Sequence, residues 1–163
     1  ENVHLGFLPY TPRNIIGQAF KLLNMPYGWG GAHGEQDCSS FLQEVFATVG
    51  IFLPRNSGAQ ARVGKPLGTF NEHTTSGFKR EALSSLAVGG ATILQLKGHV
   101  LLYLGTYRGE PYAIHETYGY RQKVWHGEVL RKVNRVIVSD LLLGEKTAKG
   151  SLLERLLSVR GIE

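Results

Sequence analysis

A single cysteine among 163 residues excludes an intrachain disulfide framework and any multi-cysteine zinc ribbon. No apolar run approaches the ~18 residues that would span a bilayer as a helix, so no membrane span is read from the chain. Runs of five or more basic residues are missing, and so are RNA- and DNA-binding signatures. The net charge of +5 is therefore not read as a nucleic-acid footprint. Internal repeats and low-complexity tracts are absent as well. The chain opens on Glu1 without a signal-like segment, which is read as a mature product or an excised piece.

What remains is the composition of a globular chain whose length fits one domain. Charge is uneven. Residues 1–60 carry three basic and four acidic side chains, and the other residues carry fifteen and nine. That excess fits a solvated basic surface or an anionic surrounding such as an envelope polymer.

Apolar spacing divides the chain into helices first and strands after. Thr11-Pro12 reads as a cap and first helical residue, followed by Ile15, Ile16, Ala19, Leu22 and Leu23 at helical spacing. A glycine-rich loop, 25–36, leads to a second helix from about Cys38, with Phe41, Leu42, Val45, Phe46 and Val49 as its buried stripe. A short helix near 57–64, an irregular loop over 65–77 and a weaker helix over 78–88 come next. Residues 91–96, 100–104, 112–117 and 133–138 read as strands of an antiparallel meander. Ser151-Leu-Leu-Glu154 reads as a capping box opening a last helix. The expectation is α+β, with N-terminal helices packed on a central antiparallel sheet.

Cys38 stands where a helix begins, facing unpaired amides and the positive end of the helix dipole, which favour a thiolate. Its neighbours Asp37, Ser39 and Ser40 are polar, unlike the setting of an ordinary buried cysteine. Of six histidines, His4, His33, His73 and His126 fall in loops or polar surroundings, whereas His99 and His115 sit in apolar strands. A five-residue turn over 106–110 centred on Arg108 would pair residues whose numbers sum to 216. His99 then faces Thr117 and His115 faces Leu101, which puts both imidazoles on one face, Cα atoms roughly 7–8 Å apart. A one-residue change in that turn would put them on opposite faces. Cys38, His99 and His115 thus admit a nucleophile, base and orienter, or a zinc site of one sulfur and two nitrogens. Tighter ligand spacing and an acidic second partner, usual for zinc, are missing, which favours no metal and no cofactor.

Tyr27-Gly-Trp-Gly-Gly31, Asp37-Cys38-Ser39-Ser40-Phe41, Gly50-Ile-Phe-Leu-Pro-Arg55 with Gln60, and His99-Val-Leu-Leu-Tyr-Leu-Gly105 together resemble the NlpC/P60 family. The resemblance covers roughly residues 11–140 and implies a papain-like cysteine peptidase that cuts peptidoglycan stem peptides. The bond it implies lies between D-glutamate and a diamino acid, cut through a thioester acyl-enzyme. By resemblance, Cys38 is the nucleophile, His99 the base and His115 the orienting residue. Tyr27 becomes an oxyanion donor, and Asp37 and Ser39 recognise the peptide's amino end. Ser40 departs from the family pattern, which has glycine there, and its hydroxymethyl narrows the expected site.

The resemblance further implies extracytoplasmic action, in the periplasm or cell envelope, with SH3-like wall-binding modules upstream in the parent chain. Residues 1–10 are expected to be a linker or an extension from an upstream domain, 11–140 the catalytic domain, and 141–163 a helical extension packed on it. A papain-like amidase or acyltransferase, and a non-catalytic wall-binding module, are the alternatives.

Overall fold

A computed structural model describes residues 5–28 and 37–163. Trp29, His4, His33 and most of the glycine-rich loop lie outside the described residues. In chain order the elements are α1 (Pro12–Lys21), α2 (Cys38–Ala47), a single helical turn α3 (Ser57–Gln60), β1 (Lys65–Thr69) and α4 (Ser76–Leu86). Five strands follow: β2 (Thr92–Leu96), β3 (His99–Tyr107), β4 (Glu110–Val124), β5 (Gly127–Asp140) and β6 (Ser158–Gly161). They form one antiparallel sheet in the order β1-β6-β2-β3-β4-β5.

The first helix starts as its sequence dictates. The Thr11 side chain accepts from the Asn14 amide at 3.2 Å, and Pro12 gives up no needed donor. Ile15 and Ala19 are fully buried. The α2 stripe packs with them against Ile93, Val100, Leu102, Ile114 and Val136, making the core on one face of the sheet. Leu83 of α4 and the leucines of the C-terminal tail cover the other face, over Leu94, Leu101, Tyr103 and Ala113. Alternation along β3 and β4 separates the two cores residue by residue.

Three expectations need correction. Residues 65–69, expected as loop, form β1, because β6 offers a pairing edge that no local pattern announces. The last helix does not form. Ser151 and Glu154 do make their reciprocal capping bonds, at 2.6 and 3.1 Å, but the chain turns only once before β6 inserts between β1 and β2. Leu152, Leu153 and Leu156 are buried as a turn, since so short a segment gains more from tertiary burial than from propagating a helix. Finally, residues 7–10, expected as linker or extension, are packed on the domain and not free of it. Leu8 donates to the Thr48 carbonyl at 2.9 Å, Phe7 packs edge-on against Phe52, and the Tyr10 hydroxyl donates to the Ile162 carbonyl.

The hairpin between β3 and β4 reaches the expected register by another route. Its turn is two residues long, with Arg108 and Gly109 both left-handed at φ 51° and 82°, so Tyr107 pairs with Glu110. That turn alone would set the two histidines on opposite faces. Leu104 is then left unpaired as a β-bulge, and beyond it Tyr103 pairs with Ala113 and Leu102 with Ile114, the predicted pairs. Two departures cancel.

Candidate active site

Asp37 begins the site. Its Oδ1 accepts from the amides of Ser39 and Ser40 at 3.0 and 2.9 Å, and the Ser40 hydroxyl accepts from the Asp37 amide at 2.7 Å. This reciprocal cap gives the departure at Ser40 a reason, since glycine could not close it. Arg55 then binds the same carboxylate at two points, 3.1 and 2.9 Å, and donates to the Ser39 hydroxyl at 3.0 Å. Burial works against ionisation of Asp37, but hydrogen bonds from Arg55, Ser40 and Ser39, with the Arg55 charge, hold its pKa down at about 2. Gln60 ties the same corner by donating to the carbonyls of Ser39 and Pro54, both at 2.8 Å.

Cys38 is buried in the core cluster of α2, with its sulfur against the start of β3. The expectation of an acidified thiol is not met. Burial raises its pKa, and the Asp37 and Glu116 charges add to that, against the favourable amides of Val100 and Ser39. The helix terminus that should have favoured a thiolate is already occupied by the Asp37 carboxylate.

His99 and His115 are joined as the register requires. His99 Nε2 lies 3.0 Å from His115 Nδ1, with the rings edge to face, and His115 Nε2 lies 3.1 Å from the Ser139 hydroxyl. Burial first, then the charges of Arg155 and Lys149, push the His99 pKa down to about 4. His115 is pushed well below its ordinary value by burial, by His99 and by Arg155. Both rings are neutral at pH 7.

By alternation the imidazoles share the face of Leu101, Tyr103 and Ala113, while the thiol packs among Val100, Leu102 and Ile114. Thiol and imidazole therefore approach the start of β3 from two sides. Among the described residues no hydrogen bond joins Cys38 to either histidine. The donors weighed for zinc do not converge: among the described residues no group of three or more His, Cys, Asp or Glu is arranged to hold a metal.

Tyr27 is held through its amide on the Asn134 carbonyl at 3.1 Å, which lays the 24–27 segment along β5. Burial, and the nearby charges of Cys38, Asp37 and Glu116, raise its pKa to about 12, so the phenol keeps its proton. Glu116 is the residue that sequence reasoning missed. It is fully buried, one position after His115 and so on the thiol's face, where its charge acts on both Cys38 and Tyr27. An acid in an apolar strand beside a singled-out histidine was the available signal.

Helices capping a six-stranded antiparallel sheet, with the cysteine at a helix start and the histidines on adjacent strands, define a papain-like α+β domain. The NlpC/P60 family model matches residues 24–133, and the chain belongs to this family of cell-wall peptidases. The gamma-D-glutamyl-L-lysine dipeptidyl-peptidase of Bacillus subtilis is 41% identical over 56 residues, which cover 34% of this chain and 19% of that one. The bifunctional muramidase/DL-endopeptidase CwlT of the same organism is 30% identical over 97 residues, covering 58% and 26%. An NlpC/P60 endopeptidase structure from Photobacterium damselae subsp. piscicida superposes with a TM-score of 0.72. It does so at 22% identity over 91% of this chain and 38% of that one, a likeness of fold. The chain thus spans about a quarter or less of the length of these curated relatives. Among the described residues no helix is long and apolar enough to cross a membrane.

Proposed function

We propose that the protein is a cysteine endopeptidase that hydrolyses peptidoglycan stem peptides at the γ-D-glutamyl bond to a diamino acid. One observation carries the reading. The only cysteine opens α2 against Val100, the strand neighbour of His99, and His99 in turn is held at 3.0 Å by His115. Cys38 is the nucleophile and His99 the base. His115, bridged to Ser139, orients the ring. Because the thiol is raised and the imidazole lowered, the free enzyme holds a neutral pair. The thiolate forms as His99 takes the proton during attack, not beforehand. Catalytic hydrogen bonds are often long before substrate is bound, and the proposed proton transfer requires Cys38 and His99 to meet in the substrate complex.

Attack gives a thioester acyl-enzyme, and the diamino acid's amine departs with the proton from His99. Water, deprotonated by the same imidazole, then releases the glutamyl product. Tyr27, still protonated at neutral pH, donates to the developing oxyanion. Asp37 and Ser39 meet the peptide's amine beside Arg55. Such a substrate puts the enzyme in the periplasm or cell envelope, and SH3-like wall-binding modules upstream would suit the parent chain.

Digesting purified muropeptides and identifying products by mass spectrometry tests this. Release of a new diamino-acid amino terminus, lost in Cys38→Ala, is the expected result. Separation of glycan from peptide by hydrolysis of the amide that joins them, or formation of a transferred acyl product, would replace hydrolysis at this bond with the amidase or acyltransferase alternative.

A further inference from the structure

A cavity of about 280 Å³ opens in front of the histidine pair, with His99, His115, Glu116 and Tyr27 on its walls. A second cavity of about 600 Å³ adjoins it. Lys97, Lys149 and Arg155 line both, so the divide between them is made of three cations. Lys97 lies in the tight turn between β2 and β3, next to Gly98 and His99. The other two come from the C-terminal tail beyond the meander.

These cations differ from their charged neighbours. Lys79 donates to the Glu154 carbonyl at 2.6 Å and stands near that acid's charge. Arg121 reaches Glu128 at 4.0 Å. Among the described residues Lys97, Lys149 and Arg155 form no ion pair, although Arg155 is half-buried and anchored by its Nε on the Ser151 carbonyl at 3.3 Å. Glu116 also lines the first cavity, and its charge acts on Cys38 and Tyr27. Among the described residues this half-buried guanidinium is in no ion pair and shares a wall with two lysines, a setting that suits a carboxylate, while Glu72 and Glu154 also line the second cavity. Arg155 and Lys149 share the first cavity's wall with His99 and His115, and their charges act on His99.

We propose that Lys97, Lys149 and Arg155 form a carboxylate-binding subsite that reads a free carboxylate of the peptide substrate beside the His99–His115 pair. The inference rests on the peptidase reading above. A γ-linked glutamyl peptide has two such groups: the α-carboxylate left free by the γ-linkage, and the terminal carboxylate of the diamino acid residue. Both are the same chemistry to this receptor.

The test uses three probes: L-alanyl-γ-D-glutamyl-L-lysine, the same peptide amidated at the glutamyl α-carboxyl, and the same peptide amidated at its C-terminus. Binding is measured by calorimetry on Cys38→Ala, and kcat/KM on the chain with its cysteine. One amide should bind at least tenfold more weakly than the parent peptide, and its identity tells which carboxylate is read. In Lys149→Ala and Arg155→Ala backgrounds that difference should shrink to within about threefold, while Arg155→Lys keeps part of it. Lys149 is exposed, so its variant reports even where Arg155→Ala perturbs the tail. Equal binding and cleavage of all three peptides overturns the subsite and leaves the peptidase reading standing. So does a preference that persists without Lys149 and Arg155. Carboxylate-dependent binding with no cleavage of any peptide overturns the peptidase reading and leaves the subsite.

Discussion

His99 and His115 meet Nε2 to Nδ1 at 3.0 Å because Leu104 is left out of the pairing between their strands. The orienting role assigned to His115 needs only an acceptor toward His99, and an amide oxygen supplies one. His115→Ala should therefore lower kcat by ~10²-fold, within the range for disturbed acid–base catalysis, and His115→Asn at least tenfold less. Equal kcat values for the two variants would mean that His115 only packs.

Cys38→Ala should abolish hydrolysis while the fold survives. The thiol is buried in the α2 core, so the small void left behind should cost about 1 kcal/mol, read from urea denaturation. Iodoacetamide labelling of Cys38 should be slow at pH 7 and accelerate beyond the ordinary thiol range, because the thiol is raised by burial. Rapid, pH-independent labelling between pH 6 and 8 would contradict the neutral pair.

Arg55 already holds both oxygens of Asp37, so a substrate amine must share that carboxylate. N-acetylating the stem peptide should lower kcat/KM at least tenfold, about 1.4 kcal/mol of transition-state binding. The penalty should grow in Arg55→Ala, where the amine is Asp37's only cation. Acetylated and free-amine peptides cut equally well would leave Asp37 as a helix cap alone.

Acid should destabilise the fold through the histidines before it reaches Asp37. Both imidazoles are held below their unfolded value of 6.5, His99 at about 4, so the unfolded chain takes up protons first. Their contribution is present above pH 6.5 and is lost as pH falls toward 4, by at most about 1.4 kcal/mol per pH unit for each proton. Asp37, lowered to about 2, adds its loss only below its ordinary 3.8. Denaturation at pH 7.5, 5.5 and 4.5 should show a fall in the first window that His99→Gln lessens. A flat profile there would place both rings in water.

Short-range chemistry made much of this protein legible. Thr11 and Asp37 cap the helices they precede, and the α2 stripe from Phe41 to Val49 lies in the core, because caps and periodicity act within one or two turns. The ordered motifs around Cys38, His99 and His115 pointed to the family for the same reason: each is a local piece of chain. Tertiary structure decided what distant segments do to each other. β6 pairs with β1 across nearly a hundred residues, and no window of sequence contains both edges. The bulge at Leu104 offsets the two-residue turn at Arg108–Gly109, a choice made by which side chains the two cores accept. The charge state of the site was decided the same way. Asp37 took the helix amides, Arg55 took Asp37, and burial raised the thiol, so a cysteine whose local sequence argued for a thiolate is held as a thiol. Burial and through-space charge are properties of the assembled fold, and they set the pKa values on which the chemistry depends.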